Sequence, residues 1–424
     1  MMNKTLNNIF KGDKVIWMVF FFLCLISVIE VFSASSELTY KGGSYWSPMF
    51  KHIGILIMGI FFMVITLNIK CKYFKIVTPF LLIISILTLI WVFFAGQSTN
   101  GAQRWISIVG LQFQPSEIAK GTMVLATAQI LSAMQTDNGA DRNAFKFIIW
   151  VCAFIIPLIM LENLSTAILL CAVIFMMMVI GRVPIKQLGR LLGVIMLIGV
   201  FVFTFIMAVG KDRGDGNMNS KKNLTEQVKP KEELGLLDKV FHRADTWKNR
   251  IDKFANNKEV APEDVDLDKD AQVAHANIAI ASSNVVGKGP GNSVERDFLS
   301  QAFSDFIYAI IIEEMGIEGA AIVAFLYIIL IFRTGRIANR CENTFPAFLA
   351  MGLALLLVTQ ALFNMCVAVG LVPVTGQPLP LVSKGGTSTI INCVYVGAIL
   401  SVSRSAKKKD PTKEEMKEEA LATA

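Results

Sequence analysis

The chain has 424 residues, of which 54% are apolar and only 17% charged, with a formal net charge of +7. A soluble domain of this size carries about 25% charged residues, so a large water-soluble enzyme is excluded, and a chain this hydrophobic is not intrinsically disordered. The positive charges fall in short clusters between apolar runs rather than on one face, a pattern that argues against nucleic acid and reads as membrane topology signals.

Ten apolar runs follow in order, at about 15–32, 49–67, 76–94, 116–133, 147–161, 167–181, 191–209, 306–332, 346–369 and 385–403. A membrane span needs about 20 residues of helix. The runs are continuously apolar instead of alternating, which excludes a β-barrel. The expected fold is therefore an all-α polytopic membrane protein of about ten transmembrane helices, with a large extracytoplasmic loop between helices 7 and 8. The first run is full length and lacks a clean small-residue cleavage site, so a retained span is expected there and not a cleavable signal peptide. The fifth and sixth runs are separated only by Glu162–Thr166 and read as a helical hairpin with a polar tip. The seven cysteines form no CxxC pair and avoid the polar segment 210–304, so neither a disulfide scaffold nor a zinc site is expected.

Lys and Arg divide the short loops into two sets. One set holds Lys4, Lys11 and Lys14, Lys70, Lys72 and Lys75, Arg142 and Lys146, Arg182, Lys186 and Arg190, Arg333, Arg336 and Arg340, and Arg404 with Lys407–Lys409. The other holds little beyond Lys41, Arg104 and Lys384. The rich set is expected in the cytoplasm. The resulting organisation is a cytoplasmic tail at 1–14, helices 1–7 over 15–209, an extracytoplasmic loop at 210–304, helices 8–10 over 305–403 and a cytoplasmic tail at 404–424. Within the loop, Lys211–Asp270 reads as a solvated stretch, with Val240–Phe254 able to form an amphipathic helix at the membrane surface. Ala271–Asn284 reads as a helix of small residues, followed by a tight glycine turn at Gly287–Asn292.

Ionisable and polar groups in or beside spans are costly unless paired or wetted, and are the first functional candidates. Four clusters qualify, all on the expected outer side. The first is Gly101-Ala102-Gln103-Arg104-Trp105 with Gln114-Pro115-Ser116-Glu117-Ile118-Ala119-Lys120. Pro115 fits a first helical turn and Glu117 its positive end. Ser116, Glu117 and Lys120 share a face. The structural alternative is a Trp105 anchor with a local Glu117–Lys120 pair. The functional one is a cationic site for an anionic headgroup, with Arg104 and Lys120 on phosphate. The second cluster is Ser304–Gly316, where Asp305 sits at the mouth of a span and suits either a partly desolvated base or a structural carboxylate cap. Glu313 and Glu314, two turns deeper, are expected to fix helix packing. The third is Gln360 and Asn364, one turn apart and suited to interhelical hydrogen bonds. The fourth is GLVPVTGQPLPLVSKGGT at 370–387, non-helical backbone that presents Thr375, Ser383 and Lys384. The turn at 287–291 lacks the GxxxxGK[ST] spacing of a phosphate loop.

Taken together these segments resemble the SEDS family (shape, elongation, division and sporulation), the FtsW and RodA proteins of bacterial wall synthesis. The resemblance rests on GAQRW at 101–105, QPSEIAK at 114–120, SDFIYAIIIEEMG at 304–316, and Gln360 with Asn364 followed by VPVTGQPLPLVSKGGTS at 372–388. It implies a peptidoglycan glycosyltransferase that polymerises lipid II at the outer face of the cytoplasmic membrane, with Asp305 as the catalytic aspartate and Trp105, Glu117 and Lys120 at positions needed for activity. Implied partners are a class B penicillin-binding protein (a transpeptidase) and the division or elongation machinery. The QPSE motif leans the resemblance toward the division type. Three positions depart from the family pattern. Glu162–Thr166 stands where QPDxGT is usual, Ser304 replaces a Thr, and Lys384 replaces an aromatic and adds a cation.

Joining two lipid-linked disaccharides requires a base for the attacking hydroxyl and positive charge for the leaving diphosphate. Asp305 suits the first role, and Arg104, Lys120 and Lys384 the second. No cofactor is read from the sequence, and a divalent cation (Mg or Mn) between Asp305 and Glu117 stays open. Two other readings remain: a lipid II flippase using Glu313, Glu314, Gln360 and Lys120 as a path, and a non-enzymatic division scaffold.

Overall fold

A computed structural model describes residues 11–34, 46–95, 97–99, 102–108, 111–209, 248, 271–299 and 302–406. The stretch Lys211–Asp270, apart from residue 248 and including Val240–Phe254, and residues 1–10 and 407–424 of the two tails lie outside the described residues. A helix stands at each of the ten apolar runs. They are α1 (Lys14–Ser33), α2 (Ser47–Asn68), α3 (Cys71–Ala95), α4 (Pro115–Ala133), α5 (Arg142–Glu162), α6 (Leu164–Ile180), α7 (Ile185–Val209), α9 (Ile307–Ala338), α10 (Thr344–Ala368) and α11 (Thr387–Ser405), with the short α8 (Ala271–Ala281) before α9. Among the described residues, six of these are long and apolar enough to cross a membrane: α1, α2, α3, α5, α9 and α10. Their outward faces carry Phe21, Phe61, Phe80, Phe154 and Phe325 uncovered. In water such surfaces would aggregate, and in lipid they are solvated.

Small strands, not anticipated from the sequence, join two of the helix pairs. Between α3 and α4 lies an antiparallel sheet of β1 (Gln97–Thr99), β2 (Ala102–Ile108) and β3 (Leu111–Phe113), with Trp105 opposite Gln97 and Ile106 opposite Phe113. Between α4 and α5, β4 (Gln135–Thr136) pairs with β5 (Gly139–Ala140). The hydropathy pattern registers spans, and these short polar strands lie beneath its resolution.

Helix α10 is the axis of the bundle, packed against α4, α6, α9 and α11. Leu349, Ala350, Leu356, Leu357 and Ala361 along it are fully covered. Helices α2 and α11 form the most extensive pair. They come close at Gly397, where a Cβ would stand 2.6 Å from the Met63 carbonyl oxygen, so only a hydrogen side chain permits that spacing.

One end of the bundle collects basic residues. Asp13 caps α1 through the Val15 and Ile16 N–H groups and receives Arg333 of α9 at 2.8 Å, while the Asp13 N–H donates to Ser403 of α11. Ser401 donates to the carbonyl of Ile69, next to Lys70.

At the opposite end α9 is broken. Gly316 takes φ 68° and ψ −171°, a conformation open to glycine alone. The break frees the carbonyls of Glu313 and Glu314, which accept the N–H groups of Lys288 and Gly289 at 3.0 and 2.8 Å. Their side chains clasp the same turn. Glu313 accepts from Lys288 Nζ at 2.6 Å, Ser293 Oγ at 2.5 Å and the Val294 N–H at 3.1 Å. Glu314 accepts from Ser33 Oγ and from the N–H groups of Gly291 and Ser293. The two carboxylates are packing elements, as expected, and the glycine turn is what they hold.

Candidate functional site

Asp305 lies in the turn that leads into α9, half-buried, and its Oδ1 accepts the Ser304 hydroxyl at 3.0 Å. Its position is set by main-chain contacts from two other parts of the chain. Asn364 of α10 donates from Nδ2 to the Asp305 carbonyl at 2.8 Å and to the Gln377 carbonyl at 2.8 Å. Ser383 donates from Oγ to the Ser304 carbonyl at 2.7 Å and accepts the Leu379 N–H at 2.7 Å. The Lys384 N–H donates to the Phe303 carbonyl at 2.9 Å. Residues 303–305 are thus sewn to the irregular segment between α10 and α11. That segment has no ladder of its own, so side chains from neighbouring helices satisfy its carbonyls. Tyr327 donates to the Pro380 carbonyl, and Gln360 Nε2 to the Pro378 carbonyl at 3.0 Å.

The same network reaches α4. Gln360 Oε1 accepts Lys120 Nζ at 2.7 Å, and Lys120 Nζ lies 2.9 Å from Glu117 Oε1. Lys120 and Glu117 are 0% and 2% exposed. This is the local ion pair of the structural alternative, and it leaves Lys120 inside the bundle instead of facing a headgroup. Ser116 is buried beside it and accepts from Gln114. Tyr395 of α11 donates to the Glu117 carbonyl at 2.5 Å. A buried pair of this kind is destabilising to break and worth little against an apolar replacement, so its value is in fixing where Gln360 sits.

The remaining expected residues fall as follows. Trp105 is half-buried in β2, and Arg104 belongs to the same strand with its side chain outside the described residues. Thr375 is buried in the irregular segment. Lys384 is half-buried, with Nζ 4.9 Å from the centre of the Phe303 ring. A divalent cation between Asp305 and Glu117 finds no assembled donor set. Glu117 Oε1 is taken by Lys120, and among the described residues no group of three or more His, Cys, Asp or Glu converges as a metal site.

Four contributors escaped the sequence reading. Gln377 Nε2 donates to Thr166 Oγ1 at 2.8 Å, which brings the hairpin tip between α5 and α6 onto the segment that holds Asp305. Ser27 of α1 donates to the Val382 carbonyl at 2.7 Å, and His52 of α2 lies 2.8 Å from Ser27 through Nε2. Polar residues on the apolar spans α1 and α2 were the available signal.

Residues 13–408 match the model of the cell cycle protein family of FtsW, RodA and SpoVE. The chain belongs to the FtsW/RodA/SpoVE family. It is 28% identical over 399 residues to a probable peptidoglycan glycosyltransferase FtsW of Halomonas elongata, covering 92% of this chain and 90% of that one. It is also 28% identical over 400 residues to the peptidoglycan glycosyltransferase MrdB of Escherichia coli K12, covering 92% and 93%. The fold is similar to a chain in a peptidoglycan synthase complex, with TM-score 0.67 at 20% identity over 94% of this chain and 99% of the other. It is likewise similar to the rod shape determining protein RodA of Thermus thermophilus, with TM-score 0.61 at 19% identity over 94% and 98%. With six helices among its described residues long and apolar enough to cross a membrane, the chain is a multi-pass membrane protein.

An apolar cavity of about 710 Å³ opens beside Asn68, Lys70, Tyr73, Leu125, Leu353 and Tyr395. Asp305 is not among its lining residues, while Tyr395, which bonds the Glu117 carbonyl, is.

Proposed function

We propose that this chain is a peptidoglycan glycosyltransferase that polymerises lipid II into glycan strands at the outer face of the bacterial cytoplasmic membrane. The observation that carries the proposal is the pinning of the Asp305 turn by Asn364 and Ser383, within a family whose curated relatives are named for that reaction. In this reading all ten apolar helices span the membrane, the Lys- and Arg-rich end is cytoplasmic with both termini, and residues 210–304 are extracytoplasmic.

The Asp305 carboxylate takes the proton from the 4-hydroxyl of the acceptor N-acetylglucosamine. The freed oxygen attacks the anomeric carbon of the donor, and the bond to the lipid diphosphate breaks. The diphosphate leaves as an anion, so Arg104 supplies positive charge and no second acid is required. Lys120 and Glu117 act through Gln360 by holding the Pro378 carbonyl. The partner is a class B penicillin-binding protein, in keeping with the synthase complex whose chain shares this fold.

The test is polymerisation of purified lipid II by the full chain, alone and with its cognate transpeptidase. Glycan strands are expected. Their absence under both conditions, together with scrambling of headgroup-labelled lipid II in liposomes, would replace the polymerase by the transporter.

A further inference from the structure

A serine or threonine inside a helix often returns its hydroxyl proton to the carbonyl four residues back. Thr66, Thr78, Thr122 and Thr334 do so, bonding the carbonyls of Phe62, Phe74, Ile118 and Leu330. Ser27 does not. It lies within α1, fully buried, and its one hydroxyl proton leaves the helix for the Val382 carbonyl at 2.7 Å. The 2.8 Å contact between Ser27 Oγ and His52 Nε2 must then carry its proton on the imidazole. His52 is itself 1% exposed. Among the described residues its Nδ1 has no partner, so the ring gives its one hydrogen bond to Ser27. An N–H aimed at the serine oxygen turns the hydroxyl outward, away from the Leu23 carbonyl that would otherwise take it.

What Ser27 holds is a strained turn. Leu381 takes φ 66°, in the left-handed region, where a bulky side chain is an outlier and persists only if its surroundings over-determine the backbone. The carbonyls on both sides of it are taken by buried side chains, Pro380 by Tyr327 of α9 and Val382 by Ser27 of α1. Next comes Ser383, whose Oγ donates to the Ser304 carbonyl, and then Lys384, whose N–H donates to the Phe303 carbonyl. If the turn at Leu381 relaxed, Ser383 would move with it, and Ser383 together with Asn364 fixes where Asp305 begins. The path from His52 to the aspartate thus runs through Ser27, the Val382 carbonyl, Ser383 and the Ser304 carbonyl.

We propose that His52 is a positioning residue for the reaction: through Ser27 it holds the strained turn at Leu381, and through that turn the placement of Asp305. Because His52 belongs to α2 and Ser27 to α1, the packing of these two helices is conveyed to the aspartate. The effect on turnover rests on the glycosyltransferase reading. The latch on the turn does not.

The experiment uses the full chain with its cognate transpeptidase and follows two readouts, lipid II polymerisation and amide hydrogen exchange over residues 379–384. His52→Leu should lower kcat by about tenfold to a hundredfold at unchanged KM. It should also speed exchange about tenfold or more at Ser383 and Lys384, whose N–H groups go to the Leu379 and Phe303 carbonyls. His52→Gln sets an amide N–H close to the place of Nε2 and should restore both. Ser27→Ala should match His52→Leu, and the double variant Ser27→Ala/His52→Leu should lose no more than either single one. Thermal unfolding of each variant confirms a folded chain. Wild-type kcat and exchange in His52→Leu overturn the proposal. So do equal impairment of His52→Gln and His52→Leu, losses that add in the double variant, and a fall in kcat with unaltered exchange. Faster exchange in His52→Leu, restored by Gln, in a chain whose wild type makes no glycan would defeat the glycosyltransferase reading and leave the latch standing. A polymerase whose exchange is indifferent to His52 would do the reverse.

Discussion

Asn364 Nδ2 stands 2.8 Å from the carbonyl oxygen of Asp305 and 2.8 Å from that of Gln377, so one amide joins the entry to α9 with the irregular segment between α10 and α11. Both carbonyls are in the protein interior, where an unmet acceptor costs about 1–3 kcal/mol. The amide also fixes where the Asp305 side chain begins. Asn364→Leu should destabilise the fold by about that amount and lower kcat by about tenfold to a hundredfold, since misplacement of about 1 Å costs that much. Asn364→Asp removes the donor at nearly constant volume and should reproduce the loss in kcat with little change in KM. Unchanged kcat in both variants would deny Asn364 its positioning role.

The Glu117–Lys120 pair makes a different prediction. Lys120→Met strands a buried carboxylate and should cost about 3–5 kcal/mol, whereas Glu117→Gln/Lys120→Met should cost distinctly less. Unfolding of the single and double variants in detergent measures the coupling. Additive losses would mean that the two side chains do not act as a pair.

Gly316 gives a backbone test. A Cβ there would stand 2.1 Å from the Val285 carbonyl oxygen, at φ 68°. Gly316→Ala should therefore release the clasp on residues 287–294 and open that stretch to proteolysis, while the helices of the bundle stay protected. A cleavage pattern equal to that of the wild type would contradict the clasp.

Much of this architecture is readable from the chain. The ten apolar runs coincide with ten helices, because a long apolar helix needs a continuous stretch of sequence and announces itself in composition. Pro115 at the head of α4 and the Glu117–Lys120 face are local features and were equally legible. Asp305, Asn364 and Ser383 could be nominated, but not their bonds, which join positions 59 and 79 residues apart. Ser27, His52, Thr166 and Gln377 were missed for the same reason. Each is a polar residue whose meaning comes from a partner far along the chain. The sheet at 97–113 escaped because short strands carry no hydropathy period of their own.

The central claim is that Asp305 is the base. The most direct measurement is lipid II polymerisation by Asp305→Asn, in complex with the cognate transpeptidase and beside the wild type. Asn keeps the shape and can still accept the Ser304 hydroxyl, but it cannot take the proton. The account predicts a rate lower by about 10²–10⁴-fold with lipid II binding retained. Glycan strands of undiminished rate and length from that variant would contradict it.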